Sequence, residues 1–327
     1  MTEFISTCSM PLAIVFLIAG FFFLVKGADV FVEGSSSIAK RFHVPAIIIG
    51  LTIVAMGTSL PETAVSVVAA IQHKNTLAIS NVVGSNIFNM MVVIGFCAIM
   101  TPVAVQKATL KRFPYSVFAA LLLMILGGVG MKLGRFDSAV FLVFFAIFIG
   151  TMIRMALKAG KEGGHLQSEE TEAAEAQKVM SMPKSLLFLV VGVAGIVIGG
   201  DVVVDSASNI ALKIGMSQTL VGLTIVSIGT SLPELVTSVV AARKNEVDMA
   251  LGNAIGSNIF NILFVLGLAG VISPMPFLME NIIDIMILIV LSLLIWGFAW
   301  TKEKISRKEG IVMLVLYVVY VIYICMR

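Results

Sequence analysis

The sequence predicts an all-α integral membrane protein of ten transmembrane helices, built as two inverted five-helix repeats in which helices 2, 3, 7 and 8 are broken. Three observations carry this. Only 13% of the 327 residues are charged and 59% are hydrophobic, with a mean hydropathy of +1.06, whereas soluble domains carry about 25% charge. Apolar stretches of about 20 residues, the length that crosses the hydrocarbon of a bilayer, recur ten times along the chain. Finally, GLTIVAMGTSLPE at 50–62 returns as GLTIVSIGTSLPE at 222–234, thirteen residues with two changes.

In chain order the stretches run over roughly 10–39, 45–71, 75–101, 114–131, 136–158, 183–211, 217–242, 247–272, 281–300 and 309–326. The first lies close to the N-terminus, but Glu3 is its only early charge and the apolar run continues past residue 25, so it reads as a span and not as a cleaved signal. The one sizeable polar segment, KAGKEGGHLQSEETEAAEAQK at 158–178, separates spans five and six and reads as a solvated short helix. It divides the chain into a first repeat (1–158), a linker (159–182) and a second repeat (183–327). Counting Lys and Arg in alternate loops gives sixteen on the side of the linker and five on the other. That asymmetry puts the linker in the cytoplasm and both termini outside, in an inner or plasma membrane.

A constant offset of 172 residues pairs Asp29 with Asp201, Glu33 with Asp205, Glu62 with Glu234, Asn81 with Asn253, and GSNIFN at 84–89 with GSNIFN at 256–261. Because five spans are an odd number, the second half enters the membrane from the opposite side. Such repeats are related by a pseudo-two-fold axis in the membrane plane, which sets the two copies of a motif face to face near the midplane.

Within GTSLPE, Gly57 permits unusual backbone angles and Pro61 lacks an N–H, so the helix breaks between them. A break at this depth is tolerated where the backbone lines a cavity. Thr58 and Ser59, like Thr230 and Ser231, then offer hydroxyls beside freed carbonyls. Ser59 and Glu62 also have the spacing of a capping box, as do Ser231 and Glu234. Capping alone does not explain them, because a carboxylate near the centre of a membrane helix costs about 2.5–3.5 kcal/mol and this chain carries two at matching positions. In GSNIFN, Ser85 and Asn89 lie four apart on one helix face, and Ser257 and Asn261 repeat them. Asn81, Asn253, Asn86 and Asn258 are expected to hydrogen-bond between helices. The donor set is therefore all oxygen, suited to Ca²⁺ or Na⁺, with no thiol or imidazole to favour zinc or copper. His43, His73 and His165 fall in loops, and Cys8, Cys97 and Cys325 read as small apolar filler. Asp29, Glu33, Asp201 and Asp205 lie toward the membrane surface and are expected to pair with basic or backbone groups, Asp29 with Lys26.

Two GTSLPE helices, each followed by a GSNIFN helix, in inverted five-helix halves, closely resemble the calcium/cation antiporter superfamily on its sodium/calcium exchanger branch, and within it the bacterial calcium/sodium antiporters. The resemblance spans essentially the whole chain. It implies a metal-ion site of Thr58, Ser59, Glu62, Ser85 and Asn89 with Thr230, Ser231, Glu234, Ser257 and Asn261, completed by the backbone carbonyls of Ala55 and Ser227. It also implies transport of Ca²⁺ and Na⁺ in alternation, by sliding of the first and sixth helices against the remaining bundle. Gly20, Gly27, Gly192, Gly195, Gly199 and Gly200 would give those helices smooth faces. In exchangers of similar sequence one of the positions held here by Asn89 and Asn261 is commonly aspartate. This chain thus has two central carboxylates, which balance one Ca²⁺ or two Na⁺.

The expected activity is secondary antiport and not enzymatic turnover, since no nucleotide-binding stretch appears and the linker is too short for a nucleotide domain. The expected partners are the transported ions and the bilayer, with no cofactor and no nucleic acid. Proton-coupled cation exchange, a cation channel using the Glu62/Glu234 pair as its filter, and an intramembrane hydrolase are the alternatives.

Overall fold

A computed structural model describes residues 2–72, 75–105, 110, 113–163, 179–216, 221, 225 and 227–326. Nearly all of them are helical. Eight helices are long and apolar enough to cross a membrane, and nine if one bent pair counts as a single span. The described residues thus bear out a multi-pass, all-helical membrane protein. The seventh expected span, 217–242, lies partly outside the described residues, and the linker segment 164–178, where a short helix is expected, lies wholly outside them.

A short helix α1 (Thr2–Thr7) precedes α2 (Met10–Arg41). Its counterpart in the second half is α9 (Met182–Lys213), also 32 residues long. Both carry a proline in the first turn, where a missing N–H costs nothing, and basic residues in the last. The two helices pack along each other through glycines. A Cβ on Gly27 would sit 2.7 Å from the Gly195 carbonyl carbon and the Ile196 nitrogen, and one on Gly199 would sit 2.5 Å from the Leu24 nitrogen. Gly20, Gly192 and Gly195 face the same seam, and Gly200 faces Pro233 at 3.6 Å. The expectation that these glycines smooth a sliding surface is therefore corrected. Five of the six bring the backbones of α2 and α9 into direct contact, which joins the pair instead of lubricating it.

The ends of this pair are tied down by residues at equal positions of the two halves. Asn209 donates to the carbonyls of Ile5 (2.6 Å) and Cys8 (3.1 Å), helped by Lys213 on Cys8, which docks α1 onto α9. Ser37, 172 residues before Asn209, accepts the Met180 N–H at 2.9 Å and the Ser185 hydroxyl at 3.1 Å.

The first broken helix follows the expectation. Its first part, α3 (Ala46–Thr58), ends at Ser59 and α4 (Leu60–Ile71) leaves at 49°, with Pro61 in the first turn of α4. The second copy has α10 (Ser227–Gly229), a turn at 230–231, and α11 (Leu232–Arg243). Helices 3 and 8 depart from it. The third runs from α5 (Asn75–Phe88) into α6 (Ile94–Met100), and the eighth from α12 (Val247–Phe260) into α13 (Gly267–Ile272), without a break. Each is instead π-helical where they join, over Asn89–Val93 and Asn261–Leu266. No proline stands there to interrupt the ladder; the widened turn accommodates the local strain and re-aims its side chains.

These two continuous helices are the centre of the molecule. Over their membrane-spanning windows they are 83% and 78% buried, against 17–39% for the other long helices. The α3 helix packs across on α12, where a Cβ on Gly252 would lie 2.7 Å from the Ile47 carbonyl oxygen. Around them stand α7 (Phe113–Gly128), α8 (Arg135–Gly163), α14 (Met279–Lys302) and α15 (Arg307–Met326). Two antiparallel pairs of two-residue strands, Val103–Ala104 with Lys304–Ile305 and Lys132–Leu133 with Met275–Pro276, clip loops together. They carry no sequence signal at that length.

The glycine seam predicts a pair of opposite effects. Gly27→Ala, which drives a methyl into the backbone of α9, should lower the thermal midpoint of the detergent-solubilised protein by the equivalent of about 1–3 kcal/mol. Gly150→Ala, whose Cβ meets nothing within 4 Å, should leave it unchanged or raise it. Equal midpoints for the two would refute the seam as a tight contact.

Candidate cation site

Glu62 lies in the first turn of α4 and Glu234 in the first turn of α11, each directly after a break. A helix N-terminus favours negative charge, so each glutamate stands at the electropositive end of its own helix. Neither has any accessible surface, nor do Thr58, Ser59, Asn89, Ser231, Ser257 and Asn261, while Ser85 is 3% exposed.

The serines do not cap their own helices. The Ser59 hydroxyl crosses to the other half and donates to Glu234 Oε1 at 2.7 Å, and the Ser231 hydroxyl crosses back to Glu62 Oε1 at 3.2 Å. The capping-box spacing is therefore present and its hydrogen bonds are not. Ser257 adds a longer bond to Glu234 Oε1 at 3.4 Å. Thr58 donates to Asn253 Oδ1 at 3.0 Å, and Asn253 in turn donates to Ser238 at 2.9 Å and to the Glu234 carbonyl at 3.3 Å. Thr230 stands half-buried in the second break.

The remaining oxygens are what make this a site. The second oxygen of each carboxylate, Glu62 Oε2 and Glu234 Oε2, is buried without a hydrogen-bond partner, and so are Ser85 Oγ, Asn89 Oδ1 and Asn261 Oδ1. Buried polar groups left without partners are costly, and buried carboxylates most of all. One thing satisfies such a collection at once: a hard cation, which takes carboxylate, hydroxyl and amide oxygens together. Among the described residues there is no group of three or more His, Cys, Asp or Glu that could hold a metal, so beyond the two carboxylates the oxygens here belong to hydroxyls and amides.

Two of the expected ligands sit differently. The Ala55 carbonyl is not freed by the break: it accepts the Ser59 N–H at 3.1 Å and the Thr58 hydroxyl at 3.4 Å. Ser227 opens α10, but residues 222–224 and 226 before it lie outside the described residues. The amides expected to join helices do so. Asn81 donates to Ser66 at 3.3 Å, and Asn86 and Asn258 each donate to the other's backbone carbonyl at 3.1 Å. The acids near the surface pair as expected, with a different partner. Asp29 and Glu33 meet Lys244, from the turn after α11, at 2.6 and 3.8 Å, and not Lys26. Next to them Ser36 and Lys40 hold Glu246. Asp201 is exposed on α9, and Asp205 Oδ2 has no hydrogen-bond partner. His43 occupies a left-handed turn after α2, with φ of 50°, and His73 and His165 are outside the described residues.

Known proteins resemble this chain over most of its length. The model of the family described as sodium/calcium exchanger protein matches twice, over residues 12–154 and 184–326. The chain is 34% identical to the sodium/calcium exchanger MaX1 of Methanosarcina acetivorans, covering 92% of this chain and 95% of that one. It is also 34% identical to the inner membrane protein YrbG of Escherichia coli, over 88% and 90%. Its fold superposes on the sodium-calcium exchanger NCX_Mj, in a structure soaked with 10 mM Na⁺ and zero Ca²⁺, with a TM-score of 0.81 at 33% identity over 95% and 98% of the two chains.

An oxygen cage with two buried carboxylates predicts cation-dependent stability. Ca²⁺ at a hundredfold excess over its dissociation constant should stabilise the purified protein by about 2.7 kcal/mol, read as a rise in thermal midpoint. Glu62→Gln should abolish that rise while leaving the cation-free midpoint equal or higher, because it removes a buried charge. A Ca²⁺-induced rise that survives in both Glu62→Gln and Glu234→Gln would place the ion elsewhere.

Proposed function

The chain belongs to the sodium/calcium exchanger protein family, whose members are membrane antiporters and not enzymes, and on that premise we propose that it exchanges Na⁺ for Ca²⁺ at the Glu62/Glu234 site by alternating access. The observation that carries this reading is the crossed pair of hydrogen bonds, Ser59 to Glu234 and Ser231 to Glu62, which leaves one oxygen of each carboxylate for a cation. Glu62 and Glu234 supply the charge. Thr58, Ser59, Ser85 and Asn89 from one half, and Thr230, Ser231, Ser257 and Asn261 from the other, supply neutral oxygens, joined by the backbone carbonyl of Ser227 but not by that of Ala55, which is already hydrogen-bonded.

The chain forms two inverted repeats, 1–158 and 183–327, joined by a cytoplasmic linker, with both termini outside an inner membrane; the basic-residue asymmetry and the 172-residue offset support this arrangement. The glycine-joined pair α2 and α9 is the moving body. It covers both breaks, since Gly57 faces Phe31 of α2 and Gly229 faces Val204 of α9. Sliding this pair along the bundle uncovers the site to one side and then the other. The ion pairs of Lys244 with Asp29 and Glu33 tie the pair to the bundle at one end and must break when that end opens.

Exchange follows from charge. Two buried carboxylates are neutralised by one Ca²⁺ or by two Na⁺, and a site emptied of both leaves two unpaired charges at membrane depth, which opposes return of the unloaded carrier. The test is ⁴⁵Ca²⁺ uptake into proteoliposomes at clamped voltage. Uptake should require internal Na⁺, should be lost with internal choline, and should fall at least a hundredfold in Glu62→Gln. Uptake that follows a pH gradient and ignores Na⁺ would replace this reading with proton-coupled exchange, and uptake that needs no counter-ion would replace it with a channel.

A further inference from the structure

The two halves use their buried amides unequally. Asn86 and Asn258 form a symmetric seam, each side-chain NH₂ donating to the other's backbone carbonyl at 3.1 Å. Their side-chain carbonyls then part company. Asn86 Oδ1 accepts from Asn261 Nδ2 at 3.3 Å. Asn258 Oδ1 has no hydrogen-bond partner, and Asn89, which matches Asn261 at the 172-residue offset, has neither its Nδ2 nor its Oδ1 bonded. All four amides are buried, Asn258 at 2% exposure and the others at zero.

An amide has a donating end and an accepting end, and turning it over exchanges them. The NH₂ of Asn86 is committed to the Asn258 carbonyl, so its Oδ1 is the end presented to Asn261. That oxygen takes the NH₂ of Asn261, and Asn261 Oδ1 is left facing away with no donor from the protein. A cation tolerates the oxygen end of an amide and is repelled by the NH₂ end. We infer that Asn86 is a positioning residue: it fixes the orientation of Asn261 so that the carbonyl oxygen, and not the NH₂, is offered to the transported cation. Asn89 receives no such instruction from Asn258. The two amide positions of the site are therefore unlike, one oriented in advance and one free to turn. This inference rests on the proposed reading of Asn261 as a ligand of the transported ion.

The near-symmetry of the molecule supplies the control. Asn86→Ala and Asn258→Ala remove equivalent side chains and each costs the seam one hydrogen bond, so both should lower the thermal midpoint, Asn86→Ala by somewhat more because it also removes the acceptor of Asn261 Nδ2. Only Asn86→Ala releases Asn261. In ⁴⁵Ca²⁺ uptake by Na⁺-loaded proteoliposomes, Asn86→Ala should raise KM for Ca²⁺ about tenfold with little change in maximal rate, and Asn258→Ala should stay within about twofold of wild type. A carboxylate has no wrong way round. Asn261→Asp should therefore abolish the effect, the double variant Asn86→Ala/Asn261→Asp having the same KM as Asn261→Asp alone. If Asn86→Ala does not yield folded protein, Asn86→Leu carries the test, because it keeps the bulk of the side chain and offers Asn261 no acceptor, so its KM should rise as for Asn86→Ala. Equal rises in KM for Asn86→Ala and Asn258→Ala, an effect of Asn86→Ala that persists undiminished in the Asn261→Asp background, or an unchanged KM in Asn86→Leu would each overturn the inference. Wild-type protein that moves no Ca²⁺ would overturn the functional reading itself, and this inference with it.

Discussion

Two hydrogen bonds that cross between the halves of the chain, Ser59 to Glu234 and Ser231 to Glu62, hold together the most costly feature of this molecule. A carboxylate at membrane depth needs compensation, and here each one receives a helix N-terminus from its own half and a hydroxyl from the other. Glu62 takes its serine hydrogen bond from the other half, and Glu234 takes its shortest one from there, with only the longer Ser257 bond from its own half. Most of what surrounds the site serves that crossing: the breaks at Ser59 and Ser231 that point the carboxylates inward, the close approach of α3 to α12 at Gly252, and the Asn86–Asn258 seam that fixes the two central helices in register.

The same dependence explains why the long outer helices are built as a pair. On the proposed reading, separate movement of α2 and α9 would uncover one break while the other stayed sealed. Backbone contact through Gly27, Gly195 and Gly199 makes the two one body, and Asn209 and Ser37 fasten its ends. That body is held unevenly. At one end Lys244 binds Asp29 and Glu33; at the other, the residue matching Lys244 is Gln72, and Asp205 keeps an oxygen without a hydrogen bond. On the proposed alternating-access reading, one charged tether favours one of the two end states through residues outside the ion site.

The sequence made the membrane class, most of the spans, the position of the first break and the two central glutamates readable, because each leaves a local mark: an apolar run of fixed length, a proline after a glycine, a carboxylate where none is expected. What stayed hidden depends on tertiary partners. Ser59 and Glu62 have the spacing of a capping box whether the serine caps its own helix or crosses to the other half, so spacing cannot separate the two. The π-helical turns at Asn89 and Asn261 replace the expected breaks without any proline at the junction to announce them. Glycines on α2 and α9 look alike on a helical wheel whether they face a sliding surface or a fixed seam. Lys26 lies nearer to Asp29 in sequence, yet Lys244 arrives from more than 200 residues away. The repeat offset was the one sequence signal that reached across the fold, and it picked out Asn86 and Asn258 as well as the glutamates.

The amides at 89 and 261 bear on how much charge a transport cycle moves. With neutral side chains at both positions, the only fixed charges in the cage are the two glutamates, so the net charge of each loaded state is set by the ions alone. One Ca²⁺ gives zero and two Na⁺ give zero, which makes a two-for-one exchange silent to voltage, while a third Na⁺ leaves one positive charge at membrane depth without a carboxylate to meet it. A charge there is costly unless water or oriented dipoles reach it. Only one of the two amides has its dipole set by a neighbour, since Asn261 is held by Asn86 and Asn89 is not. On the proposed assignment of Asn261 as a ligand, one neutral oxygen is oriented in advance beyond the charge-balanced set, which bears more directly on where a further Na⁺ would bind than on whether the membrane potential would drive it.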